Sequence, residues 1–221
     1  MKSLVLITSV INTPHTPLSY CNNRSVYSRE ERFEQTKKTI SSVRNMIPDC
    51  IIYLVECSDF TEIERDYFEN NCDYVMNLWN QPELHKDIFG ISKALGEGTM
   101  TIKALEYIIN NDIIYDSLIK ISGRYWLNDK FIYEKFNNND MIFKKINNDS
   151  NNILTLFYKF PKQYTEILYN FLIDNIENMK NCMGFEILFG LFTKKFDNII
   201  YYDYIGVSGM VAVCANEYYE G

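Results

Sequence analysis

Leu4–Ile11, LVLITSVI, and Ile51–Val55, IIYLV, decide the fold. Each is an unbroken apolar run rich in β-branched residues. A strand covered on both faces reads this way, whereas a strand with one wet face alternates. Between the two runs the period changes. Ser28-Arg29-Glu30-Glu31 has the S-x-x-E form of a capping box, and Phe33, Thr36, Ile40, Val43 and Ile47 follow at helical spacing until Pro48 ends the helix.

The cycle repeats downstream. Asp59-Phe60-Thr61-Glu62 starts a second helix, with Ile63, Tyr67 and Phe68 expected on its inner face. Asp73–Leu78 gives a short third strand. Gly96-Glu97-Gly98-Thr99 is expected to open a helix with Ile102, Leu105, Ile108 and Ile109 on its apolar side, and Ser117–Ile121, SLIKI, is the fourth strand. This alternation over residues 1–121 predicts an α/β, Rossmann-like domain: a mostly parallel central sheet with helices on both faces and right-handed crossovers.

The second half departs from that rhythm. Met141–Lys145 and Leu154–Lys159 are strand-like and joined by an Asn-rich stretch, so antiparallel pairing is expected. Pro161 is expected to begin a long helix with Tyr164, Ile167, Leu168, Phe171, Leu172 and Ile176 inward. Met183–Phe192 reads as a helix, and Ile199–Tyr204 and Val207–Val213 as closing strands. No repeat, linker or shift in composition breaks the 221 residues, so one domain over 1–221 is expected.

Composition narrows the class. The chain is 47% hydrophobic and 23% charged, ordinary globular usage, with a net charge of −7. An acidic chain without a Lys/Arg cluster is ill-suited to nucleic acid or an anionic membrane. Cys21, Cys50, Cys57, Cys72, Cys182 and Cys214 form no CxxC pair, and His15 and His85 lie far apart. No zinc site of usual spacing is expected, and free thiols in a reducing compartment are the simpler reading. The start of the chain lacks a small-residue cleavage site before Asn12, so a first strand is preferred to a signal peptide. No apolar run approaches the roughly 18 residues of a membrane span. A soluble, cytoplasmic protein is expected.

In open α/β sheets ligands bind beyond the carboxyl ends of the strands. That directs attention to Thr8–Asn12, Glu56–Ser58, Leu78–Asn80 and Ser122–Arg124. Neither GxGxxG nor GxxxxGK[ST] occurs, which disfavours a Rossmann dehydrogenase and a P-loop enzyme. No GxSxG elbow occurs either. The most informative segment runs from Tyr115 to Asn128, where an apolar strand is interrupted by Ser122-Gly123-Arg124 and resumes as Tyr125-Trp126-Leu127. A glycine there permits close approach of a ligand, and a guanidinium there suits a diphosphate. The other reading pairs Arg124 with a structural carboxylate and makes Gly123 a bulge.

The layout resembles a GT-A nucleotide-sugar glycosyltransferase. More closely, it resembles glycosyltransferase-like proteins of giant viruses and bacteria, on TSVI at Thr8–Ile11, YSREERFEQTKKTI at Tyr27–Ile40 and KISGRYWL at Lys120–Leu127. The resemblance implies a nucleotide-binding half over 1–121 and an acceptor half over 122–221. It implies transfer of a sugar from a nucleotide-diphosphate donor, UDP-linked by preference, to a hydroxyl of a glycan or protein, in the cytoplasm (the host's, for a viral protein). Ser122-Gly123-Arg124 stands where the family keeps DxD, yet no D-x-D occurs in the chain. Mn²⁺ or Mg²⁺ is therefore left open as a cofactor, and Arg124, Lys93, Arg29 and Arg32 are the cations available to do the metal's electrostatic work. No metal ligand is assigned.

The same resemblance places further residues. Thr8, Ser9 and Val10 should lie against the nucleobase. Arg32 should reach the base or phosphate, or else form a solvated helix face. Glu56 should meet the base or ribose, or else cap the following helix. Lys93 and Gly96 precede a helix start that favours anions, or else form a flexible turn. Glu186 at the start of a late helix, beside Ile187, Leu188 and Phe189, should be the general base with a raised pKa, or else a helix-dipole acid. Glu177 and Asp203 are the runners-up. A catalytically silent nucleotide-sugar-binding or scaffold protein of the same fold is the alternative function. A nucleotidyltransferase is a third, disfavoured because Asn12–Tyr27 is not Gly/Lys-rich.

Overall fold

In the computed structural model, which describes residues 1–220, the two apolar runs are neighbouring central strands. β1 (Ser3–Ser9) leads through α1 (Arg29–Met46) to β2 (Ile51–Glu56), then through α2 (Glu62–Asn71) to β3 (Tyr74–Asn77). α3 (Pro82–Ile88) and α4 (Lys93–Asn110) carry the chain to β4 (Ser117–Ser122), which is followed by the short β5 (Tyr125–Leu127). β6 (Met141–Phe143), the hairpin β7 (Lys145–Ile146) and β8 (Asp149–Ile153), and β9 (Phe157–Pro161) come next. α5 (Thr165–Asp174), α6 (Ile176–Lys180), α7 (Phe185–Thr193), β10 (Ile199–Tyr201), β11 (Val207–Met210) and β12 (Glu217–Tyr219) complete the order.

The main sheet has seven strands in the order β10-β6-β9-β4-β1-β2-β3. β9 alone runs against the rest, pairing antiparallel with both β4 and β6. The expected α/β architecture holds, with the antiparallel element in the second half. β5, β11 and β12 form a separate antiparallel sheet.

Both faces of β1 and β2 are buried, which is why neither strand alternates. Val5, Ile7, Ile52 and Leu54 pack beneath Ile40 and Val43 of α1 and Phe68 of α2. Leu4, Leu6, Tyr53 and Val55 face Leu105 and Ile108 of α4, and that layer extends to Leu168 and Leu172 of α5 and Phe189 of α7. Among the described residues no helix is long and apolar enough to cross a membrane, and the six cysteines are free.

Several local expectations need correction. The expected capping box forms at Ser28/Glu31 and a second stands at Thr61/Glu64, but Ile63 lies on the outer face, 75% exposed. α4 starts at Lys93, because the Ser92 hydroxyl caps it by accepting from the Leu95 N–H at 3.1 Å. Gly96 therefore sits inside the helix, not before it. A Cβ there would come within 2.6 Å of the Ile88 carbonyl, so the glycine serves the close crossing of α3 and α4. Pro161 ends β9, and α5 begins only at Thr165 with Ile167 outward. β11 stops at Met210, and residues 211–213 turn toward the sheet's carboxyl edge.

Candidate functional site

The chain winds from β1 outward through β2 to β3, then returns to place β4 on the other flank of β1. Such a reversal leaves a crevice beyond the carboxyl ends of the two strands. A cleft lies there. Its floor is Thr8, Ser9 and Val10 after β1 and Ser122, Gly123 and Arg124 after β4. Arg32 from α1 and Lys93, Gly96 and Glu97 from α4 form its walls. Tyr20 and Arg24 of the loop after β1, and Val211–Val213, close it above. That cover is tied down: the Val26 N–H donates to the Ala212 carbonyl at 2.8 Å, and the Ser19 N–H to the Ile91 carbonyl at 2.9 Å. Nine of the expected binding residues thus converge: Thr8, Ser9, Val10, Arg32, Lys93, Gly96, Ser122, Gly123 and Arg124. A second groove of about 580 Å³, lined by Asp112, Asp116, Lys162 and Glu166, lies at the opposite end of β4 and carries mixed charge.

Positive charge sets the cleft apart from the acidic molecule around it. Arg124 donates from Nη1 to the Met210 carbonyl at 2.9 Å. Arg24 donates to the carbonyls of Ile88, Phe89 and Gly90, which end α3. Arg32 is 5% exposed, so it does not form a solvated face. Its Nε donates to the Val10 carbonyl at 2.5 Å and its Nη1 to the Ser25 hydroxyl at 3.3 Å. All three guanidinium groups bond neutral acceptors, and none has a carboxylate partner among the described residues. Burial, together with the nearby Arg124 charge, lowers the Arg32 pKa to about 9, still above neutral pH. Arg29, by contrast, is spent on Glu64 and Asp59 and takes no part in the cleft.

Lys120 and Glu97 supply a feature the sequence reading passed over. The Lys120 side chain is fully buried, and its ammonium donates to Glu97 Oε1 at 2.5 Å, Ser122 Oγ at 2.7 Å and the Thr155 carbonyl at 2.7 Å. Burial lowers the Lys120 pKa, with Glu97 opposing. Lysine within SLIKI was the available signal, since a buried strand admits a charge only with a partner. That partner lies on α4, and only the fold brings it near. Tyr20 and Arg24 were missed for a similar reason: they belong to a loop whose path no periodicity predicts.

Three expectations are corrected. Glu56 does not line the cleft. It is fully buried, and its Oε1 accepts from the N–H groups of Ile11 and Cys57 and from the Ser58 hydroxyl, bracing the turns after β1 and β2. Burial raises its pKa against those hydrogen bonds. Gly123 is not a bulge. A Cβ there would lie 2.7 Å from the Ser9 Cβ, and its carbonyl accepts from Thr36 Oγ1 at 3.0 Å, so the glycine lets β4 pass close to β1 and α1. Glu186 is in the first turn of α7, but it faces an adjoining cavity of about 180 Å³ with Ser19, Ser92 and Cys182. Polar groups stand beside it: Lys93 Nζ lies 4.0 Å from its Oε1, and Thr155 Oγ1 3.5 Å. Lys93 and Tyr20 line both cavities. Of the runners-up, Glu177 is exposed beside Lys180 and Asp203 is exposed.

Among the described residues no three His, Cys, Asp or Glu side chains gather as a metal site. Glu97 is the sole carboxylate among the cleft-lining side chains, and Lys120 occupies one of its oxygens. The lining thus does not offer the paired acids of a D-x-D pattern. No protein-family model matches the chain, and a search of curated proteins finds no match.

Proposed function

We propose that the cleft binds a nucleoside-diphosphate sugar and that the protein is a glycosyltransferase, as its resemblance to the GT-A family implies. One observation carries this reading: three arginines without carboxylate partners line the crevice at the switch point of an α/β sheet in a chain of net charge −7. Guanidinium groups without carboxylate partners in a cleft favour an anion, and their planar forks suit a diphosphate. In the proposed transfer, an acceptor oxygen forms a bond to the anomeric carbon as the bond to the diphosphate oxygen breaks. The electron pair leaves with the nucleoside diphosphate, where Arg124, Arg32 and Arg24 stabilise the developing charge. The acceptor enters from the adjoining cavity that shares Tyr20 and Lys93 with the cleft, and its hydroxyl proton passes to Glu186 there.

A second reading is a silent nucleotide-sugar-binding protein. It is favoured by the place of Glu186, in an adjoining cavity and beside a lysine rather than in the cleft itself.

Thermal-shift and calorimetric titration with UDP, GDP and their sugars, with Mn²⁺ and with chelator, separates these readings. Binding of a nucleotide sugar that persists in chelator is the expected result. Failure of every one of these nucleotides to bind removes both readings. Slow hydrolysis of the bound donor that is lost in Glu186→Gln supports the enzyme. Binding without any turnover supports the silent protein, and unchanged turnover in Glu186→Gln removes that residue from its role.

A further inference from the structure

We infer that Glu97 reads the hydroxyl groups of an uncharged donor sugar and turns away donors whose sugar carries a carboxylate. The inference rests on the nucleotide-sugar reading of the cleft and names the class of sugar that it takes.

Glu97 is placed on the cleft wall by the second turn of α4, with its side chain 15% exposed. The two carboxylate oxygens are not equivalent. Oε1 receives the Lys120 ammonium at 2.5 Å, while Oε2 receives no hydrogen bond from any described residue. Lys120 cannot turn to a ligand, because its three donors already go to Glu97, Ser122 and Thr155. The pair therefore presents a single free acceptor to the cleft. Removal from solvent pushes the Glu97 carboxyl up, but Lys120, Lys93 and Arg124 outweigh it and hold the pKa below the ordinary value. An ionised carboxylate only accepts, so its complement is an O–H or N–H donor. The part of a nucleotide sugar that offers several O–H donors is the sugar.

The division of charge gives the same orientation. The arginines lack acidic partners and suit the diphosphate. Around Glu97 the cations are matched instead: Lys120 is paired with it, and Lys93 lies between the fields of Glu97 and Glu186. A uronate-type carboxylate brought against Glu97 would meet a like charge and leave Oε2 unpaired. Both effects select against it.

The test is calorimetric titration of the full chain with UDP, UDP-glucose, UDP-galactose, UDP-N-acetylglucosamine and UDP-glucuronate, and with GDP and GDP-mannose. At least one neutral sugar nucleotide should bind about tenfold or more tighter than its parent diphosphate, as a charge-assisted hydrogen bond provides, and UDP-glucuronate should bind no tighter than UDP. Glu97→Gln leaves the buried lysine without its counter-charge, so the double variant Glu97→Gln/Lys120→Met serves as the second arm. It should keep the affinity for the parent diphosphate, lose the advantage of the neutral sugar and lose the discrimination against glucuronate. Preferential binding of UDP-glucuronate by the wild type overturns the inference, and so does a sugar advantage retained by the double variant. If the double variant does not fold, the wild-type ranking of glucuronate against neutral sugars decides. Absence of any binding by UDP or GDP removes the nucleotide-sugar reading together with the inference. Diphosphate binding without sugar preference removes the inference alone.

Discussion

Arg124 shows how one side chain's worth depends on what it lacks. Its guanidinium bonds the Met210 carbonyl, which fixes its direction but gives it no carboxylate partner. Arg29, also a cation near the rim, has Glu64 and Asp59 against it and offers no field to a ligand. Substituting Arg124 by Ala should therefore leave the fold intact and weaken binding of a UDP-sugar. The expected loss is about 1.5–3 kcal/mol, the scale of a hydrogen bond to a charged group. Calorimetric titration of the variant checks it. Unchanged affinity in a normally folded variant would place the diphosphate elsewhere in the cleft. Gly123, next to it, carries a different lesson. A glycine at a strand end invited a ligand explanation, yet the group that occupies the space a Cβ would need is Ser9.

At the scale of elements, α1 joins stability to the site. Its N-terminus is fixed by reciprocal bonds: the Ser28 hydroxyl accepts from the Glu31 N–H at 3.2 Å, and the Glu31 carboxylate accepts from the Ser28 N–H at 2.8 Å. One turn on, the same helix delivers Arg32 to the cleft and Thr36 to the Gly123 carbonyl. Ser28→Ala should lower the free energy of unfolding by about 1 kcal/mol, the usual cost of a lost cap, read from the shift in urea midpoint at unchanged slope. A midpoint equal to that of the wild type would mean that packing alone sets this terminus. Caps of this kind were legible because they are local. The doubly buried strands were legible for the same reason, as were Thr8–Val10 and Ser122–Arg124, which lie at strand ends. What escaped needed distance. The Lys120–Glu97 pair joins a strand to the helix packed on it, 23 residues away in sequence. The start of α4 was displaced because Gly96 and Gly98 looked like a helix opening, while the capping group was Ser92. Glu186 could be placed on α7, but not beside Lys93, because no sequence pattern sets α7 against α4.

Across the whole molecule, buried carboxyls act on stability in two directions. Glu56 has its pKa raised by burial, so ionising it opposes the fold as pH climbs past the ordinary value of 4.5. Glu64 and Glu220 act the other way. Burial pushes Glu64 up, but the Arg29 guanidinium and the N–H and hydroxyl of Thr61 outweigh it and hold its pKa below 4.5. Glu220 is likewise pushed up by burial and held lower by Lys144, the Tyr218 hydroxyl and the Ile205 N–H. For these two the unfolded chain binds the proton more tightly, so stability rises with pH. Their contribution is complete above the unfolded pKa and disappears as pH falls through the folded one. Glu64→Gln should consequently be less stable than wild type near neutrality, and the gap should close on acidification. Urea midpoints of both proteins from about pH 7 down to about pH 3 measure this. A gap that stays constant would assign Glu64 to hydrogen bonding alone. A gap that narrows would show that the Arg29–Glu64 pair, which binds α1 to α2 beside the cleft, holds through its charge.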